Sequence, residues 1–385
     1  MKFIKTTKTA LLQLLEMAFH FAGAANLVLN QKEEGVGKVA ILNLVFRLNK
    51  LEIQAFNMEA FINLTLPLEG NEENAVYIFP GRLLIDTIKG VGGDEVLLGL
   101  DKDHLVVKSS EGQTALQEIA GDFPNPAKFT TYETQMPCER LAHALNMVVF
   151  ACDRSDSRPT LNGVLVEMKD EKNMVLVGTD GFRISIFESE LNWSQVSRKS
   201  YEKEFIIPFK TAGNMAVIFS KNTGVFKLGL SSDHKMMIEW ENGYLFSVLV
   251  QGKFPDWKKV WEQNNKPTTK ITFLTGFQNA VKAAKILAVG NEKKKPFITL
   301  DVNKERTNVE SDSDLGKSKI SLSPEFFGDG NLQIEFDGTY LPIQIEGEIS
   351  IGLKAKHAPA LFESKEESGW HFLLMPVISD KQPAS

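Results

Sequence analysis

Two cysteines, Cys138 and Cys152, are all that 385 residues contain, too few for a disulfide scaffold or a cysteine-based zinc site. No apolar run approaches the roughly 18 residues a membrane span needs. HExxH, the P-loop, GxSxG and Cys-x-x-Cys are absent, and the six histidines are scattered without metal-ligand spacing. Catalysis and metal binding therefore have no seat, and the expectation is a non-enzymatic chain without a cofactor. An excess of positive charge is also missing: the formal net charge is −6, which gives no global attraction to nucleic acid, so any DNA contact is local or topological. Sparse cysteine fits a cytoplasmic protein.

What is present is ordinary globular composition in a chain long enough for two or three cores. Lysines precede an apolar stretch at the N-terminus, as in a secretion leader, but Gln13, Glu16 and His20 interrupt it. Leu11, Leu12, Leu15 and Phe19 recur at helical spacing, which predicts an amphipathic helix of the mature protein.

Self-similarity appears at a long period. Gly-Asp-Phe-Pro-Asn at 121–125 returns as Gly-Lys-Phe-Pro-Asp at 252–256, so Phe254 minus Phe123 gives 131 residues. Ile78-Phe79-Pro80 opens one helical pattern and Ile207-Pro208 opens another, and Pro208 minus Pro80 gives 128. An amphipathic segment stands near the start of each of three units: ALLQLLEMAFHFA, CERLAHALNMVVFA and FQNAVKAAKILA. Between them lie short apolar or alternating strands bounded by Gly, Asn and Asp. The reading is α+β, three repeated units of helices on antiparallel sheets, spanning 1–130, 131–264 and 265–385. The third unit is expected to carry a shortened second helix, because after Leu322 only Ser323 to Phe327 precede Gly328. Lys89 to Asp94 reads as a helix end and turn, and Thr179-Asp180-Gly181 as a turn between strands.

SDSRPTLNGVLVEM, MVLVGTDGFRIS, IIPFKTAGNMAVIF and LVQGKFPDWKKV, followed at the end of the chain by HFLLMPV, resemble the β sliding clamp family of bacterial DNA polymerase III. The likeness is strongest between about 136 and 262 and continues through VAILNLVF and DFPNP before it and AAKIL after it. It implies a head-to-tail homodimer whose six domains close a ring around double-stranded DNA, helices inside and sheets outside. Topology then holds the DNA, so modest phosphate attraction suffices. Candidates for the inner wall are Arg82, Lys89, Arg140, His143, Lys210, Lys282 and Lys285, whose bland reading is an ordinary solvated face.

The resemblance also implies a pocket where polymerase, clamp loader and repair proteins insert a short linear peptide. The matching positions are Arg158, Leu161, Thr179, Gly181, Phe182, Arg183, Ile184, Pro255, Lys259, Val260, Leu373, Met375, Pro376 and Val377. The apolar members would take a peptide's anchors while Arg158, Arg183 and Lys259 hold its polar ends; without the family most would read as core. Ile286 and Leu287 match the family's subunit-contact dipeptide, with core burial as the alternative. Phe182 stands where relatives often carry a smaller or polar ring, residues 378–385 run past the usual end, and Lys293 to Lys295 have no assigned counterpart. The competing readings are a clamp-like protein of a mobile element or secondary locus and, from another class, an unrelated α+β binding protein.

Overall fold

The structure, a computed structural model, describes residues 3–22, 40–119, 121, 123–126, 128, 134–155, 157–169, 173–190, 194–195, 204–288, 296–314, 316–328 and 331–378. Lys293 to Lys295 and the chain beyond Ile378 lie outside the described residues. The first repeat runs β1 (Phe3–Thr7), α1 (Lys8–Phe21), β2 (Ile41–Arg47), β3 (Lys50–Phe56), β4 (Ala60–Pro67), β5 (Ala75–Pro80), α2 (Gly81–Gly90), β6 (Glu95–Asp101), β7 (His104–Lys108) and β8 (Gln113–Gln117). The second runs β9 (Thr134–Pro137), α3 (Cys138–Val148), β10 (Gly163–Met168), β11 (Asn173–Thr179), β12 (Arg183–Glu190), β13 (Ser194–Gln195), β14 (Glu204–Pro208), α4 (Phe209–Phe219), β15 (Val225–Ser231), β16 (Lys235–Trp240) and β17 (Gly243–Val248). After α5 (Trp257–Asn264) come β18 (Thr269–Phe273), α6 (Phe277–Ala288), β19 (Phe297–Val302), β20 (Thr307–Ser313), β21 (Gly316–Leu322), β22 (Glu325–Phe327), β23 (Leu332–Asp337), β24 (Ile349–Leu353), β25 (Ala360–Ser364) and β26 (Trp370–Leu374).

The repetition is explicit in the strand order. The first half of each repeat makes the runs β4-β3-β2-β5, β12-β11-β10-β14 and β21-β20-β19-β23, and the rest makes β1-β6-β7-β8, β9-β15-β16-β17 and β18-β24-β25-β26. The last strand of one repeat joins the fourth strand of the repeat before it: Tyr244 of β17 pairs with Asn63 of β4, and Phe372 of β26 with Ser185 of β12. The sheets thus continue across the repeat boundaries. Packing accordingly divides the chain into two compact units, Met1–His143 with Leu191–Glu202 and Lys210–Val250, and Ala144–Glu190 with Lys203–Phe209 and Gln251–Ser385.

Helix α1 starts at Thr7, whose hydroxyl accepts from the Ala10 amide, and it buries Leu11, Leu15, Ala18 and Phe21. A side-chain cap and a 3–4 spaced apolar face are what a short helix needs to persist. Strand β2, buried at every position but Arg47, is covered on both faces, whereas β21 alternates half-buried with exposed residues, as expected of an edge. At the β12–β26 junction, Trp370 donates its indole N–H to Ser185 Oγ (2.9 Å), and Ser185 donates to the Met147 carbonyl (2.6 Å). A Cβ on Gly369 would collide with the Glu188 carbonyl, and one on Gly243 with the Asn63 carbonyl. Both glycines stand at a junction where two repeats share a sheet. Gly369→Ala is expected to destabilise the fold by about 1–3 kcal/mol, the usual cost of overpacking, read as a lower urea midpoint; an unmoved midpoint would mean that the junction strand shifts freely.

Among the described residues the third repeat carries one full helix early in the unit, α6, as the sequence leads one to expect, but the place where the second helix is missing is different. Residues 325–327, expected to hold the remnant of that helix, form the edge strand β22 paired with β18. In the strand order β23 is the counterpart of β5 and β14, each of which leads directly into a helix; β23 leads instead into turns over residues 338–348. That segment still covers α6: Leu341 and Ile345 are buried, and Gln278 of α6 donates to the carbonyls of Ile345 (2.9 Å) and Gly347 (3.1 Å). On α6 itself Phe277, Ala280, Val281, Ala284 and Ala288 are buried. Ile286, for which core burial was the alternative reading, is 75% exposed, because it falls on the opposite side of the helix. Val289 lies outside the described residues.

Candidate functional site

The β11–β12 hairpin turns on Asp180-Gly181. Asp180 is buried, its Oδ1 accepts the amides of Phe182 (2.9 Å) and Arg183 (3.1 Å), and Gly181 has φ 87°. This side-chain-to-backbone turn needs a short acid followed by a residue that tolerates positive φ, so Asp180 is a turn residue, as read from the sequence. Thr179 secures the other side, donating to the Arg183 carbonyl at 2.6 Å while accepting the Gly181 amide at 3.1 Å. The exposed tip holds Phe182, 55% accessible, and β26 ends beside it with the Met375 amide donating to the Phe182 carbonyl (2.9 Å).

Against this hairpin lies an apolar cleft of about 170 Å³. Ten of the residues singled out by sequence line it: Leu161, Thr179, Gly181, Phe182, Arg183, Ile184, Pro255, Val260, Leu373 and Met375. Asp256, Trp257 and Pro359 also line it, without having been singled out. Asp256 and Trp257 were findable, because Asp256 caps α5, its carboxylate accepting the Lys259 amide (3.3 Å), and Trp257, Val260 and Trp261 share one face at helical spacing. Pro359 left no signal, since only the pairing of β25 with β26 brings it near.

Four expected members do not line the cleft. Lys259 is exposed on α5, Pro376 is buried, and the Val377 amide donates to Glu335 of β23 (2.7 Å). Arg158 belongs to an adjoining cleft of about 410 Å³ that shares Phe182 and Arg183 with the first. Arg183, expected to hold a polar end of the peptide, has a side chain only 11% exposed that pairs with Asp180 at 3.0 Å and lies over the Tyr340 ring at 4.4 Å. Arg158 is likewise committed, to Asp153 at 2.7 Å, although half of it remains accessible. Among the described residues no group of acids, histidines and cysteines is placed to hold a metal. Both cysteines are buried, and burial pushes the Cys152 thiol up to about 12, which leaves it unreactive at neutral pH.

The model of the DNA polymerase III beta subunit, central domain, matches residues 135–256. Over 345 residues the chain is 23% identical to the beta sliding clamp of Staphylococcus epidermidis, covering 86% of this chain and 89% of that protein. Against the Vibrio cholerae beta sliding clamp it is 22% identical over 337 residues, with the same coverage. The fold is similar to that of the DNA polymerase III beta subunit of Thermotoga maritima, with a TM-score of 0.83 at 18% identity over 98% of this chain and 99% of that one. It is also similar to the Pseudomonas aeruginosa subunit, with 0.79 at 20% identity over 98% and 100%. Residues 135–256 thus match the central domain of the DNA polymerase III beta subunit, and the chain as a whole is similar to beta sliding clamps.

The cationic candidates fall in different settings. Arg82 pairs with Asp86 one turn on (2.9 Å), and Lys89 of α2 pairs with Glu16 of α1 (2.6 Å), so each already faces a carboxylate. Arg140 and His143 are exposed on α3, Lys210 on α4 and Lys282 on α6, with Lys285 half-buried. Leu287 is half-buried, its carbonyl accepting from Ser313 (2.8 Å) at the end of β20. No helix among the described residues is long and apolar enough to cross a membrane.

Proposed function

We propose that this chain is a sliding clamp that encircles duplex DNA and holds polymerase, clamp loader and repair proteins through short linear peptides docked in the apolar cleft. The observation that carries this reading is the cleft itself, a preformed apolar hollow beside a hairpin tip and a C-terminal strand, without catalytic or metal-binding chemistry. A Pseudomonas aeruginosa sliding clamp of the same fold, at TM-score 0.81, was crystallised bound to griselimycin, which supports ligand binding as a property of such folds. The repeats at 1–130, 131–264 and 265–385 are three domains on this reading, and the clamp is a non-catalytic cytoplasmic protein.

The strand order supports a closed dimer. Within the chain the last strand of a repeat pairs with the fourth strand of the preceding one, at β17–β4 and β26–β12, and by this rule two strands remain: β8 and β21, each paired on one side only among the described residues. A second chain offering its β21 to β8, and its β8 to β21, satisfies both edges and closes six repeats into a ring. Ile286 and Leu287 lie on α6, which packs against β21, and so fall at that junction. A two-chain species by light scattering supports the ring; a strict monomer at micromolar concentration removes it.

Lys282 and Lys285, with Arg140, His143 and Lys210, supply phosphate contacts on the inner wall. Lys282→Glu with Lys285→Glu is expected to shorten retention on nicked circular DNA after loading by a bacterial clamp loader, while peptide binding is unchanged. Every phosphate that goes unneutralised should lower the slope of log affinity against log salt by about 0.9. Retention and slope equal to the unmodified protein would take these lysines off the wall.

A further inference from the structure

The adjoining cleft carries one more positive charge than it neutralises. Asp153 is held by Arg158 through bonds of 2.7 and 2.9 Å, and Asp180 by Arg183 at 3.0 Å. The remaining cation is Arg154, exposed, with its guanidinium over the Phe209 ring at 5.7 Å and no carboxylate partner among the described residues. A cation–π contact does not use up a guanidinium's N–H donors, and a guanidinium can take a carboxylate with two parallel hydrogen bonds. Phe182, stacked on Tyr340 at 6.4 Å between ring centres, is a wall common to both clefts, so one extended ligand can occupy the two in series.

We propose that the second cleft reads an acidic side chain of the docked peptide, next to the apolar anchors held in the first, and that Arg154 is the cation that reads it. This rests on the peptide-docking function and adds the chemistry of the partner. The turns over 338–348 take part, since Thr339, Tyr340, Leu341 and Gln344 line this cleft. The segment that replaces the expected helix thereby shapes the place where the acid sits.

The test is fluorescence anisotropy on the full chain with labelled peptides that share a Leu-Phe anchor pair and carry one Glu at each of the four preceding positions, with Gln at the same position as control. At one position the Glu peptide binds about tenfold tighter than its Gln control, as a charge-assisted, partly exposed bond allows, and the advantage shrinks as salt rises. Arg154→Gln brings that Glu peptide down to the affinity of its control, and Arg154→Lys restores only part, because an ammonium lacks the fork. Equal binding of Glu and Gln at all four positions, or an advantage that persists in Arg154→Gln, overturns the inference and leaves the docking function standing. Failure of every peptide to bind, with Met375→Asp making no difference, overturns both.

Discussion

Met375→Asp lowers the affinity of an anchor peptide by roughly 30-fold or more, about 2 kcal/mol, as expected when a central anchor of an interface is disrupted. Met375 is 42% exposed at the rim of the apolar cleft, and its backbone rather than its side chain ties it to the hairpin. The substitution therefore leaves the Met375–Phe182 hydrogen bond in place and sets a charge where a peptide would bury apolar surface. Deleting the chain from Pro376 onward would be a poorer test. Pro376 is buried and Val377 is pinned to Glu335, so its removal disturbs β23 as well as the cleft. Val260→Asp on the opposite wall, 37% exposed, should act in the same direction. Anisotropy decides: unchanged affinity in both variants removes the cleft assignment, and light scattering on the same samples shows whether the oligomer is intact.

Ile286→Asp converts the two-chain species into a folded monomer. Ile286 is 75% exposed within one chain, so an aspartate there costs the fold little, within about 0.5 kcal/mol for an ordinary surface site. In a dimer that buries this face, the same carboxylate is left without a partner and costs several kcal/mol. That asymmetry separates the interface from the core reading, which expects an unfolded or aggregated product. Light scattering with circular dichroism gives the answer: native ellipticity at the mass of one chain supports the interface, and an undiminished dimer refutes it.

Much of the candidate cleft was legible because its residues sit in contiguous stretches, at 179–184, 255–260 and 373–377, with family-like patterns of their own. The departures have separate causes. Arg183 reads as a ligand-binding cation along the chain, yet the hairpin turns it back onto Asp180, since the Asp that makes the turn is also its nearest acid. The second cleft was invisible because it assembles 150–158 with 339–344, segments brought together by the pairing of β12 with β26. Helix α5 was legible in principle, through its capping aspartate and its tryptophan spacing, but it is short and its apolar face is narrow.

The sequence by itself determined the α+β class, the three repeats and the amphipathic helices, all of which depend on residue type and on spacing within a few turns or strands. Tertiary structure decided what depends on non-local pairing. It set which sheet edges are left open at β8 and β21, where the third repeat lacks its helix, which side of α6 carries Ile286, and which arginine has no acid among the described residues. Strand order joins residues more than a hundred positions apart, and a linear pattern records a residue's own preference but not the neighbour that will satisfy or neutralise it.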